Sequence, residues 1–244
     1  MKGNLGLIGY GRFGRLAARY CAREALVHVC DSRARVRNGK GIRRATLERA
    51  AAQPVVLLAV PISELRGVLR SIRNLVRPGG LVIDVCSVKV FPLAWMRQIL
   101  PSSVSVVGMH PLFGPDSDTG SLAGQRVVVA PSRGGGRWMG KIRAIARSHG
   151  VRLHLMTPEA HDRLMAETLL MTQYVGRLIR GAGIPQRAWS TQSYGHLRLV
   201  VRTALRDSEQ LFLDMWRYNP YGPRTARALL KSHRALLRKT GRMV

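Results

Sequence analysis

The stretch from Asn4 to Asp31 constrains the fold of this chain more tightly than any other. Asn4 to Gly9 (NLGLIG) reads as a buried strand running straight into Gly9-Tyr10-Gly11-Arg12-Phe13-Gly14. A helix then spans about Arg12 to Arg23, and a second strand, Leu26 to Cys30, ends at Asp31. Alone, GxGxxG is a weak signal. Between a strand and a helix, with an acid closing the next strand, it predicts a dinucleotide site. Gly9 permits the sharp turn, Gly11 lets a pyrophosphate approach backbone without a Cβ in the way, and Gly14 lets helix and strand pack closely. Free N–H groups and the positive dipole end at the helix start complement the phosphates. Arg12 and Phe13 complete this loop, and Val60-Pro61, closing a later strand, belong to the same cofactor site. Asp31 suits both ribose hydroxyls and repels a 2′-phosphate, which favours NAD. Ser32 and Arg33 are what a 2′-phosphate would need. The expected cofactor is therefore NAD or NADP, with NAD slightly favoured.

Residues 32–53 are short for a further complete helix-and-strand pair; Arg33 to Arg37 reads as a loop and Ala45 to Ala52 as a brief helix. Pro54 to Pro61 (PVVLLAVP) is the continuous apolar run of a parallel strand covered on both faces. Then come a helix over 64–76, the Pro78-Gly79-Gly80 turn, a strand over 81–85 and a helix over 92–100. Strands over 104–108 and 126–130, a helix over 138–149 and a strand over 152–155 follow. After Met156 the texture changes. Thr157 as cap and Pro158 in the first turn start a helix, and helices are expected over 158–182, 186–205, 207–217 and 223–240. The predicted architecture is an α/β Rossmann-like nucleotide-binding domain, residues 1–156, followed by an all-α C-terminal domain, residues 157–244. The second serves substrate binding and dimerisation.

Charge bounds the partners. Lys and Arg number 40 against 13 Asp and Glu, a formal net charge of +27. Such an excess favours anionic partners, nucleic acid among them. The cations are nearly all arginine, however, spread through every predicted helix without a basic tail or interleaved aromatics. A bias in arginine usage explains them better than nucleic-acid binding, and a small polyanionic substrate also gains from the field. Cys21, Cys30 and Cys86 are odd in number and lack metal-ligand spacing, which argues for a reduced, cytoplasmic protein without structural zinc. No apolar run reaches membrane-spanning length. The strand at Asn4 leaves no room for a secretory leader, and no regulatory domain is expected after the last helix. HExxH, CxxC and GxSxG are all missing, so no metal site or alternative nucleophile competes with redox chemistry.

Two further motifs carry that chemistry: Asp84-Val85-Cys86-Ser87-Val88-Lys89 and Met109-His110-Pro111-Leu112-Phe113-Gly114-Pro115-Asp116. His110, at the end of a predicted strand, offers an imidazole whose pKa lies near operating pH. Such a group accepts a hydroxyl proton as hydride leaves the same carbon. Together with Gly9–Gly14, Thr157–Ala166 (TPEAHDRLMA) and a weaker stretch at Tyr194–Asp214, these motifs make the chain resemble the prephenate/arogenate dehydrogenase family. The resemblance implies oxidative decarboxylation with NAD(P): hydride leaves C4, the hydroxyl there becomes a carbonyl, and the ring carboxylate departs as CO₂.

It further implies that His110 is the catalytic base, that Ser87 hydrogen-bonds the substrate hydroxyl, and that Lys89 supports its loop. A dicarboxylate substrate calls for an arginine fork from the helical domain. Arg202 matches that position, with Arg198 and Arg206 left open by a one-residue shift in register. Gln173, where the family commonly has a histidine, and Ser117 complete the substrate-binding set. Asp116 or Asp118 are candidates to pair with the ammonium of arogenate. His161 and Asp162 read as a helix start and inter-domain hinge. A homodimer is expected, as in the family. The nearest alternative is a same-family enzyme for an amino-substituted prephenate; a distant one is a nucleic-acid-binding protein on a dehydrogenase-like scaffold.

Overall fold

The computed structural model describes residues 3–184 and 189–241, which divide into two compact units between His161 and Asp162. The first unit is an eight-stranded sheet: β1 (Gly3–Ile8), β2 (Ala25–Cys30), β3 (Ile42–Arg44), β4 (Val55–Leu58), β5 (Leu81–Asp84), β6 (Ser105–Pro111), β7 (Arg126–Pro131) and β8 (Arg152–Leu155). Its spatial order is β3-β2-β1-β4-β5-β6-β7-β8. Every pair is parallel except β6–β7. The helices are α1 (Arg12–Cys21), α2 (Leu47–Ala51), α3 (Ile62–Ile72), α4 (Val90–Ile99) and α5 (Met139–Ser148).

Patterning explains these layers. Val56, Leu57 and Leu58 of β4 and all four residues of β5 are buried, as a strand covered on both faces requires. In α1, Leu16, Ala17 and Ala18 are buried while Arg12, Arg15 and Arg19 face solvent, the one-sided stripe of a helix laid on a sheet. The antiparallel entry of β7 follows from its partner. It returns alongside β6 with Val129 opposite Met109 and Val128 opposite His110.

Two elements differ from expectation. Residues 42–44 form the edge strand β3, paired with Val27–Val29; three residues are too few to show a periodicity in sequence. β6 continues past Gly108 to Pro111, so His110 sits on a strand and not in a loop. The cause is β7, which extends the pairing to Pro111 opposite Val127.

α6 (Pro158–Met165) opens with Pro158 to His161 in the first unit and, in the second, continues through a π-helical turn (Ala166–Leu170) into α7 (Met171–Gly181). α8 (Gln192–Ala204), α9 (Glu209–Tyr218) and α10 (Gly222–Thr240) follow. Thr191 caps α8 by accepting from Tyr194 N–H, and Ser208 caps α9 by accepting from Leu211 N–H. Residues 186–188 of the predicted third-last helix lie outside the described residues. Gly176 sets the approach of α7 to α8: a Cβ there would stand 2.4 Å from the Ala204 Cβ. Among the described residues no helix is long and apolar enough to cross a membrane.

Candidate active site

Register aligns the functional edge of the sheet. Cys30, Ile8, Leu58, Asp84 and Gly108 form one row across β2, β1, β4, β5 and β6. Past this row, at the carboxyl ends of the parallel strands, come Asp31, the Gly9 turn, Val60-Pro61, Ser87 and His110. Strand order reverses at β1, flanked by β2 and β4, which is where ligands bind in open α/β sheets. At about 4.8 Å per strand, the three steps from β1 to β6 span roughly 14 Å.

The glycine turn is crowded by backbone at two positions and open at a third. Gly9 has φ +101°, and a Cβ there would lie 2.3 Å from the Ala59 carbonyl oxygen and 3.0 Å from the Val60 side chain. A Cβ on Gly14 would lie 2.2 Å from the Gly9 oxygen. Gly11 is the opposite case, with nothing within 4 Å of the place its Cβ would take. Gly11, the N-cap residue of α1, supplies no side-chain hydrogen bond. Backbone crowding on two sides and open space on the third fit a pyrophosphate. Phe13 packs partly into the core.

Asp31 also shapes this turn. Its carboxylate accepts from the backbone N–H of Tyr10 at 2.5 Å, Arg33 at 2.8 Å and Ala34 at 2.5 Å. Burial pushes its pKa up, but these three donors and the Arg33 charge outweigh burial and leave it below the usual carboxylate value. Arg33 itself pairs with Glu64 at 2.7 Å. On the exposed side of α1, Arg12 Nη2 donates to both carboxylate oxygens of Asp116, each at 2.7 Å. Arg19 and Tyr20 hold Asp118, and Arg23 donates to the Gly120 carbonyl. Both aspartates considered for an ammonium thus already bind cations of the nucleotide helix. The Ser117 hydroxyl closes a turn by accepting from Gly114 N–H at 3.0 Å.

Ser87 is half-buried on the turn after β5. Beside it, Lys89 and Asp84 form an ion pair, both side chains 0% exposed. The sequence assigned Lys89 a supporting part without revealing its depth. Burial raises the Asp84 pKa despite the Lys89 charge and the Cys86 N–H. Gly108 makes room for this pair: a Cβ there would meet Lys89 Cδ at 2.8 Å and Asp84 Oδ2 at 3.1 Å.

His110 is 7% exposed, and its Nδ1 lies 2.9 Å from Nε2 of His161, which is 0% exposed. The rings meet edge to face at 71°. Burial, then the charges that His161 and Lys89 would carry, hold the His110 pKa well below the ordinary imidazole value. The ring is therefore neutral at neutral pH. Sequence reasoning read His161 as a hinge residue and missed this contact; nothing in the TPEAHD stretch signals a partner 51 positions away.

The second unit carries the remaining candidates. Gln173 is buried and donates to Asp207 at 2.5 Å while accepting from Arg177. Arg177, which the sequence did not single out, also donates to the Ala204 carbonyl at 2.8 Å and the Asp207 carbonyl at 3.1 Å. Arg202 is exposed on α8. It lines an open groove of about 750 Å³ together with Arg180, Arg198 and Arg206, so all three sequence candidates for a carboxylate clamp share one groove. Among the described residues no group of three metal-ligating side chains comes together.

Fold and turn together define a Rossmann-like dinucleotide-binding protein with a helical C-terminal unit. Residues 29–155 match the family model "Prephenate dehydrogenase, nucleotide-binding domain", and the chain belongs to that family. Arogenate dehydrogenase 2, chloroplastic, of Arabidopsis thaliana is 27% identical over 228 residues, covering 88% of this chain and 64% of that protein. The 4-amino-4-deoxyprephenate dehydrogenase of Streptomyces pristinaespiralis is 26% identical over 190 residues, covering 73% of this chain and 61% of its own length. This chain thus spans less than two thirds of either relative. Among solved structures, the fold is shared with prephenate dehydrogenase from A. aeolicus in complex with hydroxyphenyl propionate and NAD+. The TM-score is 0.76 at 16% identity, over 98% of this chain and 91% of that one.

Proposed function

We propose that this chain is a dehydrogenase that oxidatively decarboxylates prephenate or arogenate, with NAD or NADP as hydride acceptor. The observation that carries the reading is His110: a neutral, buried imidazole at the carboxyl edge of the sheet, on the same edge as the glycine turn. The bound nicotinamide supplies the hydride acceptor. The protein's part is to hold the reactants and manage one proton. His110 takes the proton of the C4 hydroxyl as C4–H departs as hydride, and returns it to the ring oxygen once CO₂ has left and the ring is aromatic. Ser87 orients the hydroxyl by donating and accepting at once. Asp31 receives the ribose hydroxyls. The Arg33–Glu64 pair reduces what Arg33 offers a 2′-phosphate, so NAD is the preferred form. Arg202, with Arg198 and Arg206 in the same groove, binds a carboxylate of the substrate; Gln173 and Ser117 are the remaining substrate-binding candidates.

A homodimer through the helical unit completes the reading. Leu178, Leu199, Leu205, Leu230, Leu236 and Leu237 are exposed there, and an interface between two copies would take such side chains out of water.

A cofactor-reduction assay tests the proposal. The substrates are prephenate, arogenate and 4-amino-4-deoxyprephenate, each with NAD⁺ and NADP⁺. The expected result is reduction with prephenate or arogenate, faster with NAD⁺. His110→Asn keeps dinucleotide binding and loses about 10²- to 10⁴-fold in turnover. Wild-type turnover in that variant would remove His110 from the chemistry.

A further inference from the structure

Two imidazoles facing each other through one nitrogen apiece share a single proton, and which ring owns it decides what the other nitrogen can do. The contact between His110 Nδ1 and His161 Nε2 is such a case, at 2.9 Å. If His161 donates, His110 carries its own proton on Nε2 and can only donate from there. If His110 donates, Nε2 holds a lone pair and can accept. Only the second arrangement makes a base.

We propose that His161 is the positioning residue of this site, accepting the Nδ1 proton of His110 and thereby fixing the tautomer whose Nε2 is free to take a proton. The inference rests on the reading of His110 as base. Several features of the fold support it. His161 sits in the first turn of α6, whose start is set by Thr157: Ala160 N–H donates to Thr157 Oγ1 at 3.2 Å and His161 N–H to the Thr157 carbonyl at 3.0 Å. His110 is fixed by its strand, opposite Val128 of β7. Both rings are buried, so water does not substitute for the contact. Burial and the neighbouring Lys89 charge oppose a second proton on His110, which keeps that ring neutral before reaction. When His110 accepts the substrate proton, the same contact becomes a charge-assisted hydrogen bond to a neutral acceptor, stronger than in the resting state. His161 thus stabilises the charged ring without touching substrate.

The experiment uses full-length protein with ¹⁵N-labelled histidine, comparing wild type, His161→Leu and His161→Gln. Leucine fills the space without an acceptor, and glutamine restores an acceptor oxygen. Wild-type spectra should show His110, identified by its loss in His110→Asn, protonated at Nδ1. In His161→Leu, the His110 signals should shift toward the Nε2-protonated form. Turnover should then fall about 10- to 100-fold, the usual loss on removing a group that orients a functional histidine. Substrate KM and dinucleotide affinity should stay within about twofold, and His161→Gln should recover most of the rate. A wild-type His110 protonated at Nε2, or a His161→Leu variant unchanged in tautomer and turnover, would overturn the proposal. The wild-type spectrum decides even if His161→Leu fails to fold. Because the tautomer is read without substrate, a protein that reduces no cofactor would refute the proposed activity and leave the positioning result standing.

Discussion

An imidazole buried on a strand resists protonation, and His110 ties both stability and activity to pH. Above about 6.5 the ring is neutral in the folded and the unfolded chain, so the site costs nothing. As pH falls below that value, the unfolded chain takes up a proton that the buried ring refuses. Stability is then lost until the lowered folded-state pKa is reached. Thermal unfolding between pH 7 and 5 should therefore show a decline that is shallower in His110→Asn. For the same reason the acid limb of turnover should lie well below 6.5. The Asp84–Lys89 pair behaves differently. Removing one buried partner strands the other, so Lys89→Met should cost about 3–5 kcal/mol in denaturant unfolding. The double variant Lys89→Met with Asp84→Asn should regain part of that loss. Additive losses would show that the two side chains do not compensate each other.

Between elements, the closest approaches are set by glycines where sequence shows only a missing side chain. Gly176 lets α7 lie against Ala204 of α8. Gly176→Val should destabilise the helical unit by about 1–3 kcal/mol through overpacking, and Ala204→Gly in the same chain should relieve part of it. Equal midpoints for wild type and Gly176→Val in urea would contradict this packing. On α1, Arg12, Arg19 and Tyr20 grip the loop that follows His110 through Asp116 and Asp118. The glycine turn and the loop leaving β6 are thus fastened to the same helix, although about 100 residues separate them in sequence.

For the whole molecule, charge and apolar surface point in opposite directions. A net charge of +27 repels like copies, yet the helical unit buries few large side chains and exposes many leucines. Burial of the leucines is expected to win at physiological ionic strength, where screening acts within about 8 Å. Sedimentation equilibrium should give twice the chain mass, and Leu199→Glu with Leu205→Glu should give the single mass. A wild-type monomer at micromolar concentration would rule the dimer out. Raising salt should strengthen the association, since it weakens repulsion more than burial.

The order of most elements, the glycine turn and the candidacy of His110 and Ser87 were legible because each rests on local pattern. Apolar runs mark β4 and β5, glycine spacing marks the turn, and the HPLFGP block marks the histidine. The three-residue β3 and the extension of β6 to Pro111 were not legible, since both depend on a neighbouring strand. Nor were the depth of Lys89, the engagement of Asp116 and Asp118 by α1, or the network of Gln173, Arg177 and Asp207. Sequence by itself determined which groups are candidates for chemistry and roughly where along the fold they fall. Only the tertiary structure decided their charge states and partners. Burial and the contact of His110 with His161 arise between residues distant in the chain, and no local pattern encodes such a meeting.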